Sequence, residues 1–85
     1  MRSELFYLTF VDNIVMKKQN KFKDNLRIMR KERGLGQVEL SVAVGVSKGS
    51  ISFWENGLRE PGMSELIALA DYFNCTLDEL VGRTD

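Results

Sequence analysis

The side chains that could carry out a reaction are few in this chain of 85 residues. There is no His and a single Cys, Cys75, so neither a Ser-His nor a Cys-His nucleophile can be assembled. The same shortage removes the ligand set of a typical zinc site. The adjacent acids Asp78 and Glu79 invite a catalytic reading, but Thr76 stands three residues before Glu79. That is the spacing of a capping box, which makes the pair the start of a helix. The lone Cys75 thiol allows no intramolecular disulfide and fits a reducing cytoplasm. No catalytic residue, metal or cofactor is expected, and no small-molecule ligand is evident.

What remains is recognition chemistry. From Gln37 to Gly57 the chain reads QVELSVAVGVSKGSISFWENG. In its second half Ile51 and Trp54 lie three apart, on one face of a helix. Lys48, Gly49, Ser52 and Asn56 cluster on the opposite face, with Phe53 at its edge. Lys donates to phosphates or base acceptors, Ser donates or accepts, and an aromatic ring suits a thymine methyl. Gly adds no side chain and lets a backbone approach closely. A short helix with one buried side and a small, polar outer side suits insertion into a DNA groove.

The elements that must hold this helix follow from spacing. Leu40 and Val44 lie one turn apart and face inward from a preceding helix that starts at Gln37, with a tight turn at Gly45-Val46. Ser47 offers a side-chain oxygen as a cap, and Asn56-Gly57 ends the helix with two residues that tolerate a left-handed backbone. Upstream, Phe22, Leu26 and Met29 form a core stripe on a helix from about Lys21 to Arg33, ended by Gly34, with Leu35 returning to the core. Downstream, Leu66, Leu69, Ala70 and Phe73 mark a helix over Met63 to Phe73, capped by Gly62 or Ser64, and Asn74 takes the turn. Leu77, Leu80 and Val81 close the core from a last short helix. The pattern predicts one all-α domain over 21–82 with a single modest core, and a frayed end at 83–85.

Residues 1–20 read differently. Leu5 to Val11 is apolar and rich in strand formers, and Asp12-Asn13 reads as a turn. The run is too short to span a bilayer, and no small-residue cleavage site follows it. Three readings stand: an upstream extension absent from the native product, a dimerising strand, or a flap over the domain's own apolar surface. Lys17 to Lys23, KKQNKFK, is a basic arm that either contacts DNA or only solubilises the chain.

Charge is neutral in total, with 12 basic and 12 acidic residues, but unevenly placed. Arg2, Lys17, Lys18, Lys21, Lys23, Arg27, Arg30, Lys31 and Arg33 dominate the part up to Gly36, and acids dominate beyond it. A local basic field can hold phosphates although the sum is zero, and the alternative is a solvated helix face.

The stretch Gln37–Gly57, with LRIMRKERGLGQ before it, ENGLREP after it and ELIALADYFNCTLDELVG up to Gly82, resembles the phage-repressor-like helix-turn-helix family of the Cro/C1 (XRE) type. The resemblance runs in one register without gaps and leaves a short N-terminal extension outside it. It implies a five-helix, lambda-repressor-like fold, a cytoplasmic protein, and specific binding of double-stranded DNA by a homodimer that regulates transcription as a repressor. The recognition helix would be about 47–56, lying in the major groove. By the same resemblance Lys48, Gly49, Ser52 and Phe53 would face base edges, and Gln37, Ser47, Asn56 and Arg59 would hold the DNA backbone. Arg30 would pair directly with Glu55 and fix the recognition helix's angle.

The chain departs from the family pattern at three places. Gly36 stands where Thr or Asn is usual, and Phe53 where a polar residue is usual. Val38, Val42 and Ala43 also replace polar residues, which suggests a contact surface for the N-terminal segment or a partner. The neutral charge, Gly49 inside the recognition helix and Phe53 at a usually polar position keep a rival open: a protein-interaction or antitoxin-like module with weak DNA binding.

Overall fold

The computed structural model describes residues 21–83, and within them the chain is entirely helical. The expected N-terminal extension and most of the basic arm lie outside the described residues, as do the last two residues of the expected frayed end. Five helices follow one another: α1 (Phe22–Glu32), α2 (Gln37–Val44), α3 (Lys48–Glu55), α4 (Met63–Phe73) and α5 (Leu77–Val81). The helix bounds agree with the sequence reading to within one residue at each end of α1 and are the same for α4.

The local chemistry explains the starts. Ser47 accepts a hydrogen bond from the Ser50 N–H at 3.0 Å, and Thr76 does the same for Glu79 while the Glu79 carboxylate accepts from Thr76 N–H at 2.8 Å. Gly36 has no side-chain oxygen, so α2 begins with half of that device: the Glu39 carboxylate reaches back to the Gly36 N–H. Glu65 serves Gly62 in the same way at the start of α4.

The helices also end alike. In each, an N–H just past the helix bonds back five positions and its predecessor bonds back three, as in Leu58 to Phe53 at 2.9 Å and Gly57 to Trp54 at 3.2 Å. This Schellman closure needs one residue in the left-handed region. At the end of α3 that residue is Gly57, φ 73°, while Asn56 keeps an ordinary φ of −95°. Of the two residues that tolerate it, Gly57 alone takes the left-handed geometry, because the closure has room for one reversal. Arg83 is still tied, its N–H donating to the Asp78 carbonyl at 2.7 Å.

The core gathers Phe22 and Leu26 from α1, Leu40 from α2, Ile51 and Trp54 from α3, Leu69, Ala70 and Phe73 from α4, and Leu80 from α5. Phe22 meets Trp54 edge to face, with ring centroids 6.5 Å apart. Met29, Leu35, Val44, Leu66, Cys75 and Val81 are half-buried around it. Leu77, expected in the core, is 39% exposed. It opens a five-residue helix whose single inward face is taken by Leu80 and Val81. Ser41 is buried instead, its hydroxyl donating to the Val38 carbonyl at 2.7 Å. Helix α3 is packed against both α1 and α2, so two neighbours fix its direction.

Candidate nucleic-acid interface

Helix α3 has two unlike sides. The inner side carries Ile51, Trp54 and Glu55, all buried. Glu55 is only 2% exposed, which for an isolated carboxylate would be very costly. It is not isolated. Arg30 grips it with two hydrogen bonds, Nε to Oε2 at 2.6 Å and an Nη to Oε1 at 2.9 Å. Gln37, the first residue of α2, donates to Oε1 at 3.1 Å. The other Arg30 Nη donates to the Leu35 carbonyl at 2.8 Å, so the guanidinium is satisfied as well. One carboxylate thereby ties α1, the α1–α2 turn, α2 and the end of α3 together.

The protonation states follow. Burial pushes the Glu55 carboxyl up, but hydrogen bonds from Arg30 and Gln37 and the charges of Arg30 and Arg27 outweigh it and hold the pKa below the ordinary carboxylate range. The hydrogen bond to Glu55 raises Arg30 further, against a smaller opposing effect of burial. Both groups are charged at neutral pH. In the turn between α4 and α5, burial and the Glu79 charge push the half-buried Cys75 thiol up, against a smaller lowering by Arg33.

Sequence reasoning missed Arg27. It lies three residues before Arg30, on the same side of α1, and donates to the Glu55 backbone carbonyl at 2.7 Å. A cation there satisfies a terminal carbonyl and complements the negative end of the α3 dipole. Arg33 is also occupied, donating to the Tyr72 and Phe73 carbonyls at 3.2 and 3.1 Å with both rings beneath it. Three arginines of the basic N-terminal half therefore hold helices together. Arg30 is buried and paired with a carboxylate, so its charge is withdrawn from the surface field, while Arg27 remains partly exposed and Arg33 exposed.

The outer side carries Lys48, Gly49 and Phe53, exposed, and Ser52, half-buried. Ser47 sits at the cap, and its hydroxyl is within 3.0 Å of the Ser50 hydroxyl. Asn56 folds back on the last turn, its Nδ2 donating to the Ser52 carbonyl at 2.9 Å. The Arg59 guanidinium lies over the Phe53 ring, 5.1 Å from its centroid. Gln37 faces the Glu55 network from the start of α2. Val38, Val42 and Ala43 are exposed, Val42 by 76%. Among the described residues no group of His, Cys, Asp and Glu could hold a metal ion, and no helix is long and apolar enough to cross a membrane.

Two short helices, a tight turn with Gly45 at φ 77°, and a second helix braced from behind make a helix-turn-helix. The chain belongs to the Cro/C1-type helix-turn-helix family, whose model, described as helix-turn-helix, matches residues 26–80. It is similar to the HTH-type transcriptional regulator AnsR of Bacillus subtilis (strain 168), with 35% identity over 60 residues, which are 71% of this chain and 52% of AnsR. The chain thus spans about half the length of that relative. Among solved structures it resembles a transcriptional regulator from Listeria innocua, with a TM-score of 0.72 and 32% identity over 78% of this chain and 62% of the other. It also resembles the P22 c2 repressor protein in complex with synthetic operator 9T, with a TM-score of 0.70 and 33% identity over 74% of this chain and 96% of the other.

Proposed function

We propose that this chain binds operator-like double-stranded DNA through the outer side of α3 and represses transcription from the site it occupies. Lys48, Gly49, Ser52 and Phe53 turn toward base edges in the major groove, and Gln37, Ser47, Asn56 and Arg59 toward the phosphate backbone. The observation that carries this reading is the contrast within α3: a fully braced inner side, and an outer side on which Lys48 and Gly49 are exposed and only Phe53 is large and apolar. The likeness to the P22 c2 repressor protein in complex with a synthetic operator supports it.

Two copies would act together, as a homodimer spanning half-sites about 34 Å apart on one face of the duplex. The protein would work in the cytoplasm. With no Arg, Asn or Gln among the four base-facing residues, bidentate base readout is missing. Base specificity should be modest, with phosphate contacts and DNA shape supplying much of the affinity.

The second reading, a partner-binding module with weak DNA affinity, is favoured by one observation, the exposed Val38, Val42 and Ala43 of α2. A titration with mixed genomic DNA fragments at low and moderate salt separates the two. Retardation that weakens steeply with salt supports the DNA reading. Its absence at low salt moves the partner reading ahead.

A further inference from the structure

Phe53 stands on the outer side of α3, where a base reader belongs, yet one face of its ring is already covered. The Schellman closure at Gly57 reverses the chain directly after the helix, with the Leu58 N–H bonded to the Phe53 carbonyl itself. That reversal brings Arg59 back over the ring, its guanidinium carbon 5.1 Å from the centroid. The hydrophobic contact that commonly accompanies this closure would join Leu58 to Phe53, but Leu58 is largely exposed and the arginine lies on the ring instead.

We propose that Phe53 is a positioning residue for Arg59: its ring holds the guanidinium at the C-terminal rim of α3 in the orientation that grips a DNA phosphate. This rests on the DNA-binding reading above. The chemistry is compatible on both sides. A guanidinium meets an aromatic ring through its flat face, which leaves the N–H groups around its edge free to donate in the plane. A phosphate accepts such donors two at a time. An exposed arginine otherwise loses much rotamer freedom on binding, and a ring that limits it beforehand lowers that loss. In place of the base-facing role given to it above, Phe53 then raises affinity for every sequence alike, leaving Lys48, Gly49 and Ser52 to meet the bases.

The test uses the whole chain with two duplexes, the tightest binder selected from a random-sequence pool and an unselected random duplex. Affinity is measured across a salt series for the unaltered protein, Phe53→Leu, Phe53→Tyr, Arg59→Ala and the double variant Phe53→Leu/Arg59→Ala. Far-UV circular dichroism checks that each is folded. Phe53→Leu should weaken both duplexes by a similar factor, about 2- to 5-fold. Arg59→Ala should reduce the salt slope by about one unit if it takes away one phosphate contact, whereas Phe53→Leu keeps the guanidinium and should change the slope less. The double variant should bind no more weakly than Arg59→Ala alone, and Phe53→Tyr, which keeps the ring, should behave like the unaltered protein. A Phe53→Leu loss confined to the selected duplex, a Phe53→Tyr variant as weak as Phe53→Leu, or effects that simply add would overturn the positioning role while leaving DNA binding intact. No salt-sensitive binding of the unaltered protein to either duplex would overturn the DNA reading and this role with it.

Discussion

The inner and outer sides of α3 differ in almost every physical respect. On the inner side each polar group has partners: Glu55 is held by Arg30 and Gln37 through side-chain hydrogen bonds, and its backbone carbonyl by Arg27. On the outer side Lys48 reaches into solvent, Gly49 has no side chain, and Ser52 and Phe53 interact chiefly with the turn that follows. Direction is therefore a property of the inner side and contact chemistry a property of the outer side. Substitutions on the two sides should separate stability from binding.

The largest effect that could break this contrast belongs to Glu55. Glu55→Ala leaves the Arg30 guanidinium buried without its carboxylate, and stability should fall by about 3–5 kcal/mol. Urea unfolding measures it as a lower midpoint, and a loss under about 1 kcal/mol would place Glu55 with ordinary surface ion pairs. The pH dependence carries the same information. The folded carboxyl titrates below its ordinary value of 4.5, so the folded state binds fewer protons than the unfolded one in that range. The pair's contribution is complete above about pH 4.5 and disappears as pH falls through the depressed folded value. Glu55→Gln should remove that part of the acid sensitivity.

Lys48→Ala comes next and moves only the other observable. It should weaken binding to the best duplex by about 1–3 kcal/mol if the amine contacts a base. Unfolding should stay within about 0.5 kcal/mol of the unaltered chain, since the side chain is exposed. Gly49→Ala sharpens the contrast further. A Cβ there would meet only the Ser47 hydroxyl at 3.8 Å, an ordinary contact, so the free protein should gain about 1 kcal/mol of helix stability. DNA binding should weaken at the same time if the backbone lies close to the duplex. Greater stability with unchanged affinity would show that this part of α3 does not lie against DNA. The smallest effect is expected from starting the chain at Met16. The helical far-UV signal should persist, because the core is assembled from residues between Phe22 and Leu80.

Much of the fold was legible in the sequence because it is written in local chemistry. Met63 to Phe73 carries a helical apolar stripe between a glycine cap and a left-handed Asn74, and both bounds follow from neighbours a few residues apart. Thr76 with Glu79 and Ser47 before α3 are legible for the same reason. Arg30 and Glu55 are different. They lie 25 residues apart, and nothing local points one to the other, so only the family resemblance suggested the pair. Arg27 and Arg33 escaped because their partners are backbone carbonyls of distant helices, placed by packing alone. The stacking of Arg59 on Phe53 depends on a chain reversal at Gly57, which sequence marks as a turn without saying where the next side chains land.

The central claim is that DNA lies against the outer side of α3 while its inner side stays fixed. Backbone amide resonances, followed while a selected duplex is added at low salt, test it most directly. The largest shifts should fall on Ser47 to Phe53 and on Gln37, with little change across α4 and α5. Amides that do not move at saturating duplex, or shifts centred on Val38 and Val42 without α3, would contradict it.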